Sequence, residues 1–350
     1  MRPLRYLRSL LPSWADYRAV KRTWRGDVVA GITVGIVALP LALAFGVSSG
    51  AGAEAGLITA IVAGLVAAVF GGSNIQVSGP TGAMVVVLGP IVAAHGVGAV
   101  AVVSVLAGLV VLVAGITRLG HAVSYIPWPV IEGFTLGIAV IIFLQQVPAA
   151  IGAQPGPSSN SVVAAVQSFA AIDWSTVVWP LLVVAVVATI MVLAPRIHKQ
   201  LPGSIIAIVV VSVAAALLGL PLVDIGVLPA SLPAPQLPDL SPALVQQLLG
   251  PALTVAALAA IESLLSARVA ASLSNTGAYD ADRELVGQGL ASLASGFFGG
   301  MPATGAIART AVNLRSGGRT RLAAIIHSLV LLGAVYFATG VISQIPLAAL

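Results

Sequence analysis

Glu262, in the run PALTVAALAAIESLLSARVAAS, is an isolated carboxylate, since no acid or base precedes it back to Asp239. About halfway along an apolar segment, such a group faces a bundle interior or a wet cavity. There it either serves an ion or proton pathway or is a hydrogen-bonded structural acid. Ser266 follows one turn later on the same helical face. Two further stretches share a pattern: FGGSNIQVSGPTGAM (Phe70–Met84) and FFGGMPATGAIARTAVN (Phe297–Asn313) each carry Phe-Gly-Gly, then proline, then Thr-Gly-Ala. The first interrupts a region with no charged residue from Ala55 to Thr117. Proline is tolerated where a helix begins, and the first amides of a helix have no partner within it. Two such N-termini meeting in mid-membrane would offer an anion free donors and positive partial charge without burying a formal charge. Close helix packing is the plainer reading of the glycines, but packing alone does not require the matched proline and threonine. Arg309, about a turn and a half into the second stretch, either adds positive field to this site or snorkels to the interface.

The surrounding chain belongs in a bilayer. Of its 350 residues 59% are hydrophobic and 8% charged, with a mean hydropathy of +1.07, too few charges to cover a water-soluble domain of this length. Runs such as VGAVAVVSVLAGLVVLVAGIT (Val97–Thr117) are apolar on every side, which fits helices and not the alternating strands of a barrel. Read against roughly 20 residues per span, the sequence predicts helices near 28–48, 54–70, 81–94, 97–117, 129–151, 175–194, 203–220, 251–273, 285–298, 304–313 and 321–341, with a twelfth beginning at Ile345. Seven of the sixteen Lys and Arg precede Asp27, and the others fall where this count puts cytoplasmic ends. The basic charge is thereby accounted for without nucleic acid. A cytoplasmic N-terminus in a bacterial inner membrane is the expected placement, with no cleavable signal.

Residues 1–26 form a basic cytoplasmic segment, 27–220 a first set of seven segments, 221–250 a Pro-rich outside loop, and 251–350 a second, incomplete set. A set with an odd number of crossings is inverted relative to the next. Both short, Gly/Pro-interrupted segments stand third in their sets, a pattern that points to a transporter site built by an inverted repeat. Glu132 falls at the start of segment five, where its charge complements the helix dipole. His95, His121, His198 and His327 are scattered at segment ends or loops, so neither a metal site nor a histidine relay is expected, and the cofactor expectation is none. With no cysteine and no nucleotide-binding or hydrolase motif, the chain reads as a non-enzyme.

The chain resembles the SulP family of anion transporters, the sulfate permease, bicarbonate transporter and prestin relatives. The resemblance is carried by GDVVAGITVGIVALPLALAFGVSSG (Gly26–Gly50), QVSGPTGAMVVVLGP (Gln76–Pro90), PWPVIEGFTLGIAV (Pro127–Val140), AIESLLSA (Ala260–Ala267) and GGMPATGAIARTAVNLRSGGRTRLAAIIHSLVLL (Gly299–Leu332), in collinear order. It implies an all-α, polytopic, seven-plus-seven inverted-repeat fold like that of the uracil permeases, with two half-helices. It also implies a core domain of segments one to four and eight to eleven, a gate domain, and elevator-like movement of the core. The anion would lie between Thr81, Gly82 and Ala83 and Thr304, Gly305 and Ala306, lined by Phe45, with Arg309 supplying field. Glu262 stands at the acidic position used for cation coupling, with Ser266 beside it. Leu41 replaces the Gln of many sulfate-type members, and Glu262 replaces the Asp of sodium–bicarbonate members, which favours H+ over Na+ as coupling ion. Segments twelve to fourteen and a STAS domain are expected to be absent after Leu350, along with most of any homodimer contact. The expected function is proton-coupled symport of a small anion: bicarbonate, a dicarboxylate or sulfate. A sodium-coupled bicarbonate symporter and an uncoupled anion channel or exchanger are the alternatives, and the PATGAIARTAVN form argues against a nucleobase permease.

Overall fold

The computed structural model of the chain describes residues 3–125, 128–154, 156, 158, 160–197, 203–226, 228, 230–273 and 277–350. His198 and Lys199 lie outside them. The chain is helical, and it divides into two compact units, residues 1–131 with 231–335 and residues 132–230 with 336–350. The first unit holds the expected segments one to four and eight to ten and most of segment eleven, whose end from Tyr336 falls in the second.

The first unit begins with α1 (Pro3–Ser9), a short 3-10 turn at Trp14–Tyr17, and α2 (Val20–Ser48). A continuous rod, Ala53–Phe70, follows; it comprises α3 (Ala53–Ile58), a π-turn (Thr59–Ala63) and α4 (Gly64–Phe70). Then come β1 (Ser78–Gly79), α5 (Gly82–His95) and α6 (Gly98–Ile116). The later part supplies α11 (Pro242–Ser272), α12 (Ala281–Phe297), β2 (Thr304–Gly305), α13 (Ile307–Arg315) and most of α14 (Arg321–Ile342). Between them the chain forms α7 (Trp128–Ala150), α8 (Ser161–Ser168), α9 (Val178–Ile197) and α10 (Gly203–Leu218). In the second unit α9 packs on α10. Among the described residues six helices are long and apolar enough to cross a membrane by length and composition.

The first unit is built around α12, which packs on α6 and α4 and is buried along most of its length. Small residues let backbones touch there: a side chain at Gly108 of α6 would collide with the Leu293 amide and the Gly289 carbonyl of α12. Asp27, fully buried, accepts hydrogen bonds from the amides of Arg319 (2.7 Å) and Thr320 (3.0 Å) and from the hydroxyls of Thr23 and Thr320 (2.7 Å each). It thereby ties the start of α14 to α2 and caps amides that have no helical partner.

Four local expectations need correction. Segment eight starts at Pro242 and not at Pro251, because Ser241 and Pro242 are a favourable helix start and Pro251 is absorbed inside the helix. Segment ten starts at Ile307 and not at Thr304, because Thr304 and Gly305 are taken up by a strand. Between segments five and six, where the sequence predicts no helix, the chain forms α8, capped by the Asn160 side chain on the amides of Val162 and Val163. The twelfth segment does not begin at Ile345: residues 345–347 make an antiparallel bridge with 223–225 through Ile225 N to Ile345 O (2.9 Å) and Leu347 N to Val223 O (2.8 Å), and a 3-10 turn, Leu347–Ala349, follows with Pro346 as its N-cap.

Candidate functional site

β1 and β2 pair antiparallel, Ser78 opposite Gly305 and Gly79 opposite Thr304. Each strand runs almost at once into a short helix, so α5 and α13 leave the ladder from opposite ends. Thr81, in extended conformation (φ −133°, ψ 162°), is the N-cap of α5, and Gly82 and Ala83 supply its first amides. On the other side the amides expected to be free are engaged: Gly305 N–H donates to Ser263 Oγ (3.0 Å) and Ala306 N–H to the Val77 carbonyl (2.9 Å). Ala306 is the N-cap of α13, so the leading amides of that helix begin at Ile307.

Glu262 on α11 reaches this junction. Its Oε2 accepts hydrogen bonds from Thr81 Oγ1 and Thr304 Oγ1, both at 2.9 Å, and the two hydroxyl oxygens are 3.0 Å apart. The threonines are enclosed, at 5% and 0% exposure, whereas Glu262 is half-buried and keeps an accessible side. Each hydroxyl has one proton to give, so an ionised Glu262 directs both at one carboxylate oxygen. Ser266, one turn along α11, is buried with its hydroxyl unpartnered among the described residues.

Arg309 does not snorkel. It is 2% exposed, and its Nη2 donates to the Pro80 carbonyl, which leaves Nη1 buried and without a hydrogen-bond partner among the described residues. A side chain at Gly79 would press on Nη1 at 2.6 Å, so glycine is what lets the guanidinium lie against β1. The rest of this face of α13 also serves the first lead-in. Thr310 Oγ1 accepts from the Val77 amide (3.1 Å), and Asn313 Nδ2 donates to the Ile75 carbonyl (2.7 Å).

Sequence reasoning missed the polar row on α12. Glu284, Gln288, Ser292 and Ser295 are at most 2% exposed and stand at spacings of four, four and three, one helical face. Glu284 Oε2 accepts from the amides of Gly72 (2.8 Å) and Ser73 (3.0 Å), and its Oε1 from Gln76 Nε2 (3.0 Å) and Gln288 Nε2 (2.9 Å). Gln288 Nε2 also donates to Ser78 Oγ (2.6 Å). Further along, Ser292 Oγ accepts from the Ala303 amide (3.2 Å), and Ser295 Oγ donates to the Met301 carbonyl (2.7 Å). Across from them Thr59 Oγ1, at the π-turn of the second segment, accepts from the Met301 amide (2.7 Å). The signal was the four-residue polar period through Glu284, but Asp280–Glu284 reads as a charged loop in isolation.

Thr81, Thr304, Glu262 and Arg309 therefore converge, with Gly82, Ala83, Gly305 and Ala306 in the adjoining backbone. Phe45 is half-buried in the last turn of α2, outside the hydrogen bonds that join the others. His327 is not at a segment end: it is fully buried within α14.

Comparisons with known proteins agree with this architecture. The chain matches the sulfate permease family over residues 24–350. It is 36% identical over 346 residues to the bicarbonate transporter BicA of a Picosynechococcus species, covering 94% of this chain and 60% of that protein. The chain thus spans about three-fifths of the length of such curated relatives. The solved transmembrane domain of a cyanobacterial BicA superposes with a TM-score of 0.84 at 35% identity, covering 94% of this chain and 86% of that one. Murine Solute Carrier 26 family member A9, an anion transporter in its inward-facing state, gives 0.88 at 18% identity, a likeness of fold alone. Multi-pass, helical and built on two paired half-helices, the chain belongs to the sulfate permease family.

Proposed function

We propose that the protein carries out secondary active transport of a small anion such as bicarbonate, a dicarboxylate or sulfate. The anion is held between the starts of α5 and α13 near Thr81, Gly82, Ala83, Thr304, Gly305, Ala306 and Phe45, and moved by elevator-type displacement of the unit that carries the site. Protons are the coupling ion, through Glu262. The observation that carries the reading is the contact of Thr81 and Thr304 hydroxyls with one oxygen of Glu262.

The chemistry follows from counting protons. While Glu262 is ionised, both threonine protons are spent on it. A protonated Glu262 becomes a donor. With the proton on Oε1, the new O–H is itself the added donor and Oε2 keeps both threonines; with it on Oε2, one threonine turns to accept and its own proton points at a substrate oxygen. Protonation therefore adds a donor to the site and removes a negative charge that would repel the anion, so each ligand favours the other. Arg309 Nη1 supports the same reading as a buried cationic donor with capacity to spare. The basic N-terminal segment supports a cytoplasmic position for that end, and the relatives' names support bicarbonate and sulfate as candidates in the substrate class.

The test is uptake into proteoliposomes from a panel of bicarbonate, dicarboxylates and sulfate under imposed proton or sodium gradients. An inward proton gradient is expected to drive accumulation of at least one of these anions. Accumulation driven by sodium alone would overturn the coupling, and no saturable uptake of any anion would overturn the function.

A further inference from the structure

The N-terminal stretch has two unlike sides. On one, Leu10 is 3% exposed, Tyr6 OH donates to the Gly115 carbonyl (2.9 Å), and the Arg118 guanidinium lies 4.1 Å from the Tyr6 ring centroid. Asp16 completes this anchorage with two hydrogen bonds from Arg283, Nη1 to Oδ1 (3.1 Å) and Nη2 to Oδ2 (2.7 Å). The segment is thus fixed at the end of α6 and the start of α12.

On the other side Leu7, Leu11 and Trp14 are 47%, 51% and 91% exposed. Arg5, Arg8, Arg18, Lys21, Arg22 and Arg25 are exposed as well. Within residues 3–26 the acid is Asp16, and its charge is already matched by Arg283. The position of this surface identifies what covers it. Leu109, Val113 and Ile116 form an exposed apolar stripe along α6, while Gly108, Val111 and Gly115 behind them are buried. In a spanning helix that stripe faces lipid. It ends where Tyr6 is bonded, so the exposed leucines and Trp14 lie where acyl chains give way to headgroups. An apolar and tryptophan face flanked by cations, fixed at that depth, has the composition of a surface that binds an anionic bilayer.

We propose that residues 3–25 form a docking surface for anionic phospholipid headgroups of the leaflet in which α6 ends, with Leu7, Leu11 and Trp14 inserted and the exposed Arg and Lys paired to phosphates. The surface is separate from the substrate site and does not depend on which anion is carried.

The experiment compares tryptophan quenching by phosphatidylglycerol and by phosphatidylcholine, each brominated near the headgroup, in liposomes containing the protein. The difference between the wild-type protein and Trp14→Phe isolates the Trp14 signal. Trp14 is expected to be quenched, with an apparent preference for phosphatidylglycerol of about fivefold or more, the effect of one cation at an anionic surface. High salt should weaken the preference, and Arg5→Gln/Arg8→Gln/Arg18→Gln, all at exposed positions, should lower it severalfold. Absence of Trp14 quenching, equal quenching by the two lipids, or a preference indifferent to both salt and the triple substitution would each overturn the proposal.

Discussion

The lead-in from Phe70 to Thr81 and the lead-in from Phe297 to Ala306 share a sequence pattern but are held by different chemistry. The first is gripped by a carboxylate: Glu284 takes four hydrogen bonds, from two backbone amides and two glutamines. The second is held by neutral hydroxyls, those of Thr59, Ser292, Ser295 and Ser263. Nor do the matched Thr-Gly-Ala triplets play matched parts. Thr81 stands at the N-cap position of α5, with its hydroxyl turned elsewhere, whereas Thr304 is a strand residue and α13 starts three positions later. What the two threonines share is their hydroxyl's destination, Glu262. Repetition in sequence thus marked residues that converge on one acceptor, without fixing their backbone roles.

The sharpest way to break this comparison is to remove the anchors. Glu284→Ala leaves the Gly72 and Ser73 amides and the Gln76 side chain with an empty partner in a buried setting, and should cost about 3–5 kcal/mol. Denaturant unfolding in detergent micelles would read this as a large fall in midpoint. Ser295→Ala removes one donated bond to the Met301 carbonyl and should cost only about 1 kcal/mol. If the two substitutions are equally damaging, the distinction between a charged and a neutral anchor is wrong.

A smaller effect concerns the Asp16–Arg283 pair, which fixes the N-terminal segment beside the first lead-in. Burial pushes the Asp16 carboxyl up. Hydrogen bonds from Arg283 and the Ser13 amide, with the Arg283 charge, outweigh that and hold it below the usual carboxylate range. A depressed folded-state value means the pair contributes stability fully above the ordinary aspartate pKa of about 3.9, and loses it as pH falls through the lower folded value. Asp16→Asn should therefore be less stable than the wild-type protein by a margin that is constant at neutral pH and shrinks in acid. A margin that grows on acidification would contradict the assignment.

The helices were legible because a bilayer demands long apolar runs and leaves no other way to satisfy their backbone. Thr81, Thr304, Arg309 and Glu262 were legible as chemical oddities in such runs. The β1–β2 pair was not, since two residues per strand carry no periodicity to read. Neither was the row Glu284, Gln288, Ser292 and Ser295, because burial of a polar face depends on the loops that fold back onto it. The fate of Arg309 turned on the Pro80 carbonyl, which is 229 residues away in sequence.

The central claim is that Glu262 joins the two half-helices and exchanges the proton that accompanies the anion. It is tested most directly by following external pH in a weakly buffered suspension of proteoliposomes as a transported anion is added. With the wild-type protein the medium should become alkaline as protons enter with the anion. With Glu262→Gln, anion should still move down its own gradient while the pH change disappears. Proton movement that persists in Glu262→Gln at the wild-type ratio to anion would contradict the claim.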